Sequence, residues 1–186
     1  MKIQRSNFIK SLLGFSVFSP IVASATPKSS LCLEASKIRS GIIEALNKSK
    51  IMTLGIVEQM PDDFFGFKYT PEAMSFGEQF RHCAVYSFGQ FAGRIGVKNP
   101  FEGKKPKVDL SKQEVIDITN LMYNTLSTWA SEISEEKLMS DMGFSSENIP
   151  TWRFFYVIEN HIIHHRGQAV VYLRLKGIKP NGYYGW

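Results

Sequence analysis

The chain has 186 residues, enough for one domain with a substantial hydrophobic core and too few for two large ones. Apolar residues make up 44% of the chain and charged residues 21%, a composition that excludes an intrinsically disordered protein. The formal charge is +5, but three of the basic residues lie within the first 25 positions. The remainder, near +2, lacks the excess of basic residues that is typical of nucleic-acid binding.

The N-terminal segment, residues 1–25, has the features of a secretory signal peptide. A basic start precedes a short apolar run over residues 12–22, and residues 23–25 read Ala-Ser-Ala, an A-x-A cleavage site. The apolar run is too short to span a membrane, so no stable membrane insertion is expected. We therefore predict export to the periplasm or the exterior, by the general secretory route or a twin-arginine-like route.

The rest of the chain is predicted to be a flexible N-terminus at residues 26–33 and one domain over residues 34–186. Within the domain, apolar residues recur at steps of three and four, the pattern of amphipathic helices, and no strand alternation is found. The predicted fold class is all-α, an up-down-type four-helix bundle. The predicted helices cover about 33–60, 70–96, 111–133 and 151–176.

Local signals set the predicted helix ends. Thr70 is the expected N-cap of the second helix, with Pro71 in the first helical position. Residues 111–114 read Ser-Lys-Gln-Glu, a capping box that opens the third helix. Gly177 is the expected C-terminal stop of the last helix. The segment 134–150 is predicted to be a short polar stretch followed by a loop.

The last helix contains three of the four histidines of the chain, His161, His164 and His165. His161 and His165 are four residues apart, so they lie on one helical face and can ligate one metal ion at about 2.0–2.1 Å. His164 is rotated by about 100° from His165 and fits the same ion poorly. Such pairs also occur on solvated faces and in cores, and the Glu of the H-E-x-x-H motif is missing here. The spacing alone leaves metal binding open.

The sequence around the pair extends the pattern. It reads His161-Ile-Ile-His-His165-Arg166-Gly167-Gln168, and residues 172–177 read Tyr-Leu-Arg-Leu-Lys-Gly. These two stretches together resemble the last-helix signature of the DinB-like superfamily. These proteins, which include the DinB and bacillithiol-transferase-like bundles, take two metal-ligating histidines from this helix and one from the second helix. Residues 71–82, which end in His82, are similar to that second-helix segment.

The resemblance, which covers the chain from about residue 34 to the end, implies a metal site of His82, His161 and His165. It further implies one divalent ion (zinc, nickel or iron), an open coordination position and a homodimer. The implied function is a metal-dependent enzyme of the hydrolase or thiol/S-transferase type acting on a small molecule, with catalytic residues unknown. The alternative is a non-catalytic periplasmic metal-binding protein, or a helical interaction or dimerisation protein.

Two side chains are candidates to orient the ligands. Gln168 follows His165 by one turn, and Glu78 precedes His82 by one turn, where it could orient the ring or act as a base. An ordinary surface acid is the favoured reading of Glu78. Arg166 is expected to pair with an acid on a neighbouring helix. The aromatic loop at residues 61–69 either shapes a pocket near the metal or covers the core.

The two cysteines, Cys32 and Cys83, would enter an oxidising compartment, where a disulfide is possible. In an antiparallel helix pair their separation exceeds the Cα limit of about 7 Å, so no bridge is predicted. Cys83 follows His82 directly, but neighbouring helical residues point about 100° apart, which favours a packed thiol over a fourth ligand.

Overall fold

The structure of the protein is a computed structural model that describes residues 28–183. The predicted signal peptide at 1–25 and the last three residues, 184–186, lie outside the described residues. The predicted all-α bundle is confirmed. None of the described helices is both long and apolar enough to cross a membrane. The elements are α1 Lys28–Gln59, α2 Phe76–Ile95, α3 Lys112–Glu132, α4 Glu135–Met139, β1 Asp141–Phe144, β2 Glu147–Pro150 and α5 Thr151–Leu175.

The four long helices surround a common core. α1 packs against α3 and α5, and α2 packs against the same two helices. α1 and α2, although consecutive in the chain, therefore lie across the bundle from each other. This arrangement places the second helix beside the last helix, which is the pairing that a site shared between them requires.

Helix α1 begins earlier than predicted. The segment at 28–33, predicted to be part of a flexible N-terminus, is the first part of α1. The sequence contains no glycine and no proline between residues 28 and 40 to end the helix, although Leu31 and Leu33 are exposed there.

Helix α2 begins later than predicted. Its N-cap is Ser75, not Thr70, and Ser75 forms a capping box with Glu78. The Ser75 hydroxyl accepts from the Glu78 amide at 3.2 Å, and the Ser75 amide donates to the Glu78 carboxylate at 2.6 Å. This reciprocal pair satisfies two backbone donors, whereas a lone threonine cap would satisfy one.

The ends of α3 and α5 match the prediction. Ser111 and Glu114 form the predicted capping box of α3. Gly177 has a φ of 73°, and its amide donates to the Arg174 carbonyl while the Ile178 amide donates to the Leu173 carbonyl. This is a Schellman motif, in which glycine adopts the left-handed conformation without a steric cost.

A β-hairpin between α4 and α5 was not predicted. β1 and β2 are antiparallel, with Phe144 opposite Glu147, so residues 145–146 form a two-residue turn. The paired residues Met142 and Ile149 are both buried. The strands have four residues each, too few for visible alternation, and the Ser-Ser turn lacks the usual Asn-Gly signal.

The core consists of two apolar clusters. The larger one contains aromatic side chains such as Phe88, Phe91 and Phe154, and the smaller one contains Phe76 and Tyr172. Polar residues that are buried or partly buried lie along the long helices among these apolar residues, and we call this set the polar layer. Its members are Ser49 and Thr53 of α1, Gln79 of α2, Thr119 of α3, and Glu159, His165 and Arg166 of α5.

Hydrogen bonds connect much of the polar layer. The Tyr123 hydroxyl lies 2.9 Å from Ser49 Oγ and 2.8 Å from Thr53 Oγ1, and Arg166 Nη1 donates to Ser49 Oγ at 2.7 Å.

Neither carboxylate oxygen of the buried Glu159 has a hydrogen-bond partner among the described residues. Burial raises the pKa of Glu159 to about 7, while the nearby Ser49 hydroxyl and Arg166 guanidinium act in the opposite direction. Arg166 thus contacts hydroxyl groups of α1, not the acid on a neighbouring helix that was predicted.

The substitution Glu159→Gln tests the electrostatics of the polar layer. In the folded state the pKa of Glu159 is about 7, above its ordinary value of 4.5. The contribution of this carboxyl group to folding stability is therefore complete below pH 4.5 and is lost as pH rises through 7. The neutral variant should therefore gain up to about 3 kcal/mol in unfolding free energy relative to wild type between about pH 5 and about pH 8. Urea denaturation in the presence of EDTA measures this difference.

The matched control is Glu44→Gln, which removes an exposed carboxylate from α1. Its unfolding free energy should stay within about 0.5 kcal/mol of wild type at each pH. If the difference in unfolding free energy between Glu159→Gln and wild type does not change with pH, Glu159 is not a buried carboxyl group with a raised pKa.

Candidate metal centre

Three histidines from two adjacent helices form one cluster. His82 lies on α2, and His161 and His165 lie one turn apart on α5. The Nε2 atoms of His82 and His161 are 3.2 Å apart. The ring centroids of the three residues are 4.6 to 5.0 Å from one another. The structure therefore brings together the three residues that the sequence resemblance implied.

The cluster fits a divalent metal ion. Each imidazole offers one ring nitrogen, and these three atoms lie within 4.8 Å of one another. Two nitrogens bound to a tetrahedral ion at about 2.0–2.1 Å are about 3.4 Å apart, close to the separation of His82 and His161. No cysteine or carboxylate joins the cluster in the part of the chain that the structure describes.

The surroundings of the three imidazoles favour their neutral form. Burial, together with the other imidazoles, lowers the pKa of His161 and of His165 to about 4. Burial and the Arg81 guanidinium lower the pKa of His82. Only neutral imidazole has a lone pair for a metal, so the surroundings keep all three rings in the form that can bind one.

Gln79 orients His165. Gln79 Oε1 lies 2.5 Å from His165 Nδ1, which places the proton on Nδ1 and leaves Nε2 as the metal-binding atom. Gln79 Nε2 donates to the Tyr172 hydroxyl at 3.4 Å, and that hydroxyl donates to the Met74 carbonyl. This chain of hydrogen bonds was not predicted. Its only sequence signal is that Gln79 precedes His82 by three residues, on the same helical face.

Tyr86 holds the ring of His161. The two rings are stacked, with centroids 3.9 Å apart and an interplanar angle of 24°. His161 Nδ1 is buried and has no hydrogen-bond partner among the described residues. The orientation of His161 therefore depends on the stacking contact and on its Nε2 contact with His82.

The predicted orienting residues have other partners. Gln168 Nε2 lies 2.7 Å from Nε2 of the exposed His164, so Gln168 does not contact the cluster. Glu78 caps α2 and forms an ion pair with Lys68 at 3.1 Å. A residue one helical turn from a ligand shares its face, but neighbouring helices and caps decide which group the side chain contacts.

The cysteines do not belong to the cluster. Both are free; Cys32 is exposed, and Cys83 is buried, as predicted for a packed thiol. Burial raises the pKa of the Cys83 thiol, so it stays protonated and does not supply a thiolate ligand.

The aromatic loop covers the core beside Tyr172. Phe65 packs edge-on against Phe76, while Phe67 and Tyr69 contact Tyr172. The loop therefore reaches the cluster indirectly, through Tyr172 and Gln79. Of the two readings left open by the sequence, the contacts favour the one in which the loop covers the core.

Two cavities of the described part of the protein bear on the position of a substrate pocket. The larger one, about 830 Å³, is bordered by α1, α5 and the segment 177–183, and none of the three histidines lines it. The smaller one, about 290 Å³, is lined by His82 and Tyr86. The larger cavity lacks the cluster, so the smaller one is the candidate substrate pocket.

Comparison with known proteins agrees with this fold. A family model described as the DinB superfamily matches residues 45–169, about two-thirds of the chain. A DinB-like protein from Bacillus subtilis is 21% identical, with a TM-score of 0.62, and the match covers 77% of this chain and 97% of that one. A DinB-like protein from Bacillus cereus is also 21% identical, with a TM-score of 0.63, and the match covers 78% and 97%. No curated protein matches. The extent of the family match shows that this chain belongs to the DinB superfamily.

Proposed function

We propose that this chain is a metal-dependent enzyme of the hydrolase or thiol/S-transferase type. His82, His161 and His165 would hold one divalent ion, with zinc, nickel and iron as the candidates. Members of the DinB superfamily generally bind a divalent metal, which supports this assignment. The observation that carries the proposal is the cluster of three imidazoles without a further protein ligand among the described residues. Catalytic metal sites have this composition, with one position left for water or substrate.

The protein's own residues prepare the site. Gln79 fixes the His165 tautomer, Tyr86 fixes the plane of His161, and the cavity beside His82 admits a small molecule. When bound, a divalent ion in such a site polarises a substrate or lowers the pKa of a water or thiol. The residue that transfers protons during the reaction is unassigned.

The second candidate function is metal binding without turnover. The small volume of the cavity at His82, about 290 Å³, favours it, because many enzyme pockets are larger. Turnover of a small ester or thiol substrate by the metal-loaded protein would exclude this candidate. Export and homodimer formation remain predictions from the sequence.

Elemental analysis of the purified protein, residues 26–186, tests the metal site. We expect about one metal ion per chain in the wild type and loss of that ion in His161→Ala/His165→Ala, because one imidazole cannot hold it alone. His164→Ala is the matched control, since His164 lies on the same helix outside the cluster, and it should keep the metal. A wild-type protein that binds neither zinc, nickel nor iron after incubation would refute the proposal.

A pair of glutamine variants tests the contact that orients His165. Gln79→Ala should lower metal affinity by about 10- to 100-fold, because the His165 ring loses the acceptor that fixes it. Gln168→Ala, which disturbs only the exposed His164, should leave metal affinity unchanged. Gln79→Glu keeps an acceptor and should restore most of the affinity. Competition with a chromophoric chelator measures all three, and equal affinities for Gln79→Ala and wild type would contradict the role of Gln79.

A further inference from the structure

The cavity beside His82 has a polar wall that the metal site does not use. His82 and Tyr86 form the side towards the cluster, and Gln90, Asn99 and Lys105 also line the cavity. No carboxylate lines it in the part of the chain that the structure describes. The polar groups of this wall therefore decide which charge a ligand can carry.

The two amide side chains that line the cavity have their carbonyl oxygens engaged within the protein. Asn99 Oδ1 accepts from the Phe101 amide at 2.8 Å, and Gln90 Oε1 accepts from Arg94 Nη1 at 3.1 Å. A backbone amide and a guanidinium can only donate, so these contacts fix which end of each side chain is the carbonyl. The NH₂ groups of Gln90 and Asn99 remain as donors for a ligand.

Lys105 adds a positive charge to the same wall. It forms no ion pair with any described residue, whereas Lys107 of the same loop is paired with Glu114. The Arg81 side chain donates two hydrogen bonds, of 3.0 and 2.8 Å, to the carbonyl of Pro106. Arg81 precedes His82 on α2, so this contact holds the backbone next to Lys105 against the helix that carries His82.

We propose that this cavity selects small organic carboxylates, with the acid group bound by Lys105, Gln90 and Asn99 and a metal-binding group at the other end, beside His82. The inference rests on the proposed metal site. One ammonium group and two amide donors match the charge and the acceptors of a single carboxylate. The volume, about 290 Å³, restricts the ligand to a molecule smaller than most drug-sized compounds.

Cobalt-loaded protein provides the test, because cobalt absorption bands report a thiolate that binds the ion directly. The probes are 3-mercaptopropionate and 3-mercaptopropanol, which have the same thiol and chain length but differ in the acid group. Wild-type protein should bind the carboxylate about five- to tenfold more tightly, and high salt should reduce this preference. Lys105→Ala should lose most of the carboxylate preference and keep only the part that the two amide donors supply, Lys105→Glu should prefer the alcohol, and Lys105→Arg should restore the carboxylate preference.

Lys104→Ala is the matched control, because Lys104 is an exposed neighbour that does not line the cavity, and it should keep the wild-type preference. Cobalt bands without any preference in wild type, or equal preferences in Lys105→Ala and wild type, would overturn the selection of carboxylates and leave the metal site standing. A protein that gives no cobalt bands at all would overturn the metal site and this inference with it.

Discussion

The structure depends on the polar layer, a set of polar side chains that are buried or partly buried along the helices of a four-helix bundle. Burying such groups is costly unless each finds a partner, so the two apolar clusters must hold the helices at a fixed separation and rotation. α1 supplies the hydroxyl groups of Ser49 and Thr53, and Arg166 of α5 reaches across to them. The same layer contains His165, so the packing that aligns these hydrogen bonds also fixes one of the three candidate ligands.

Burial also determines the chemistry of the histidines. A histidine in water is partly protonated near neutral pH, and protons then compete with a metal. In this protein desolvation and mutual repulsion favour the neutral imidazoles, so the cluster is ready for a cation, and the lowered pKa values reduce folding stability only as pH falls below 6.5. Gln79 and Tyr86 constrain His165 and His161 before any ion arrives.

The sequence predicts the parts of the site that lie on one helix and fails where two helices meet. The spacing of His161 and His165 is sufficient to place them on one face, because helical periodicity is a local property. His82 was identified only through the family resemblance, since no local pattern shows which helix lies beside α5. Gln168 was a reasonable orienting residue by spacing, but Gln79 holds that position because α2 packs there. The hairpin at 141–150 is stabilised by burial of paired residues, which single-strand patterns do not reveal.

Helix α2 connects the core, the cluster and the cavity. The capping box of Ser75 and Glu78 fixes where the helix begins, although Glu78 had been expected to serve the metal site. Each later residue then turns by about 100°. Gln79 therefore faces the polar layer, His82 and Tyr86 face α5, and Arg81 is turned towards the loop that carries Lys105. The packing of α2 against α5, together with helical periodicity, thus determines which side chains reach the candidate metal and which reach its ligand.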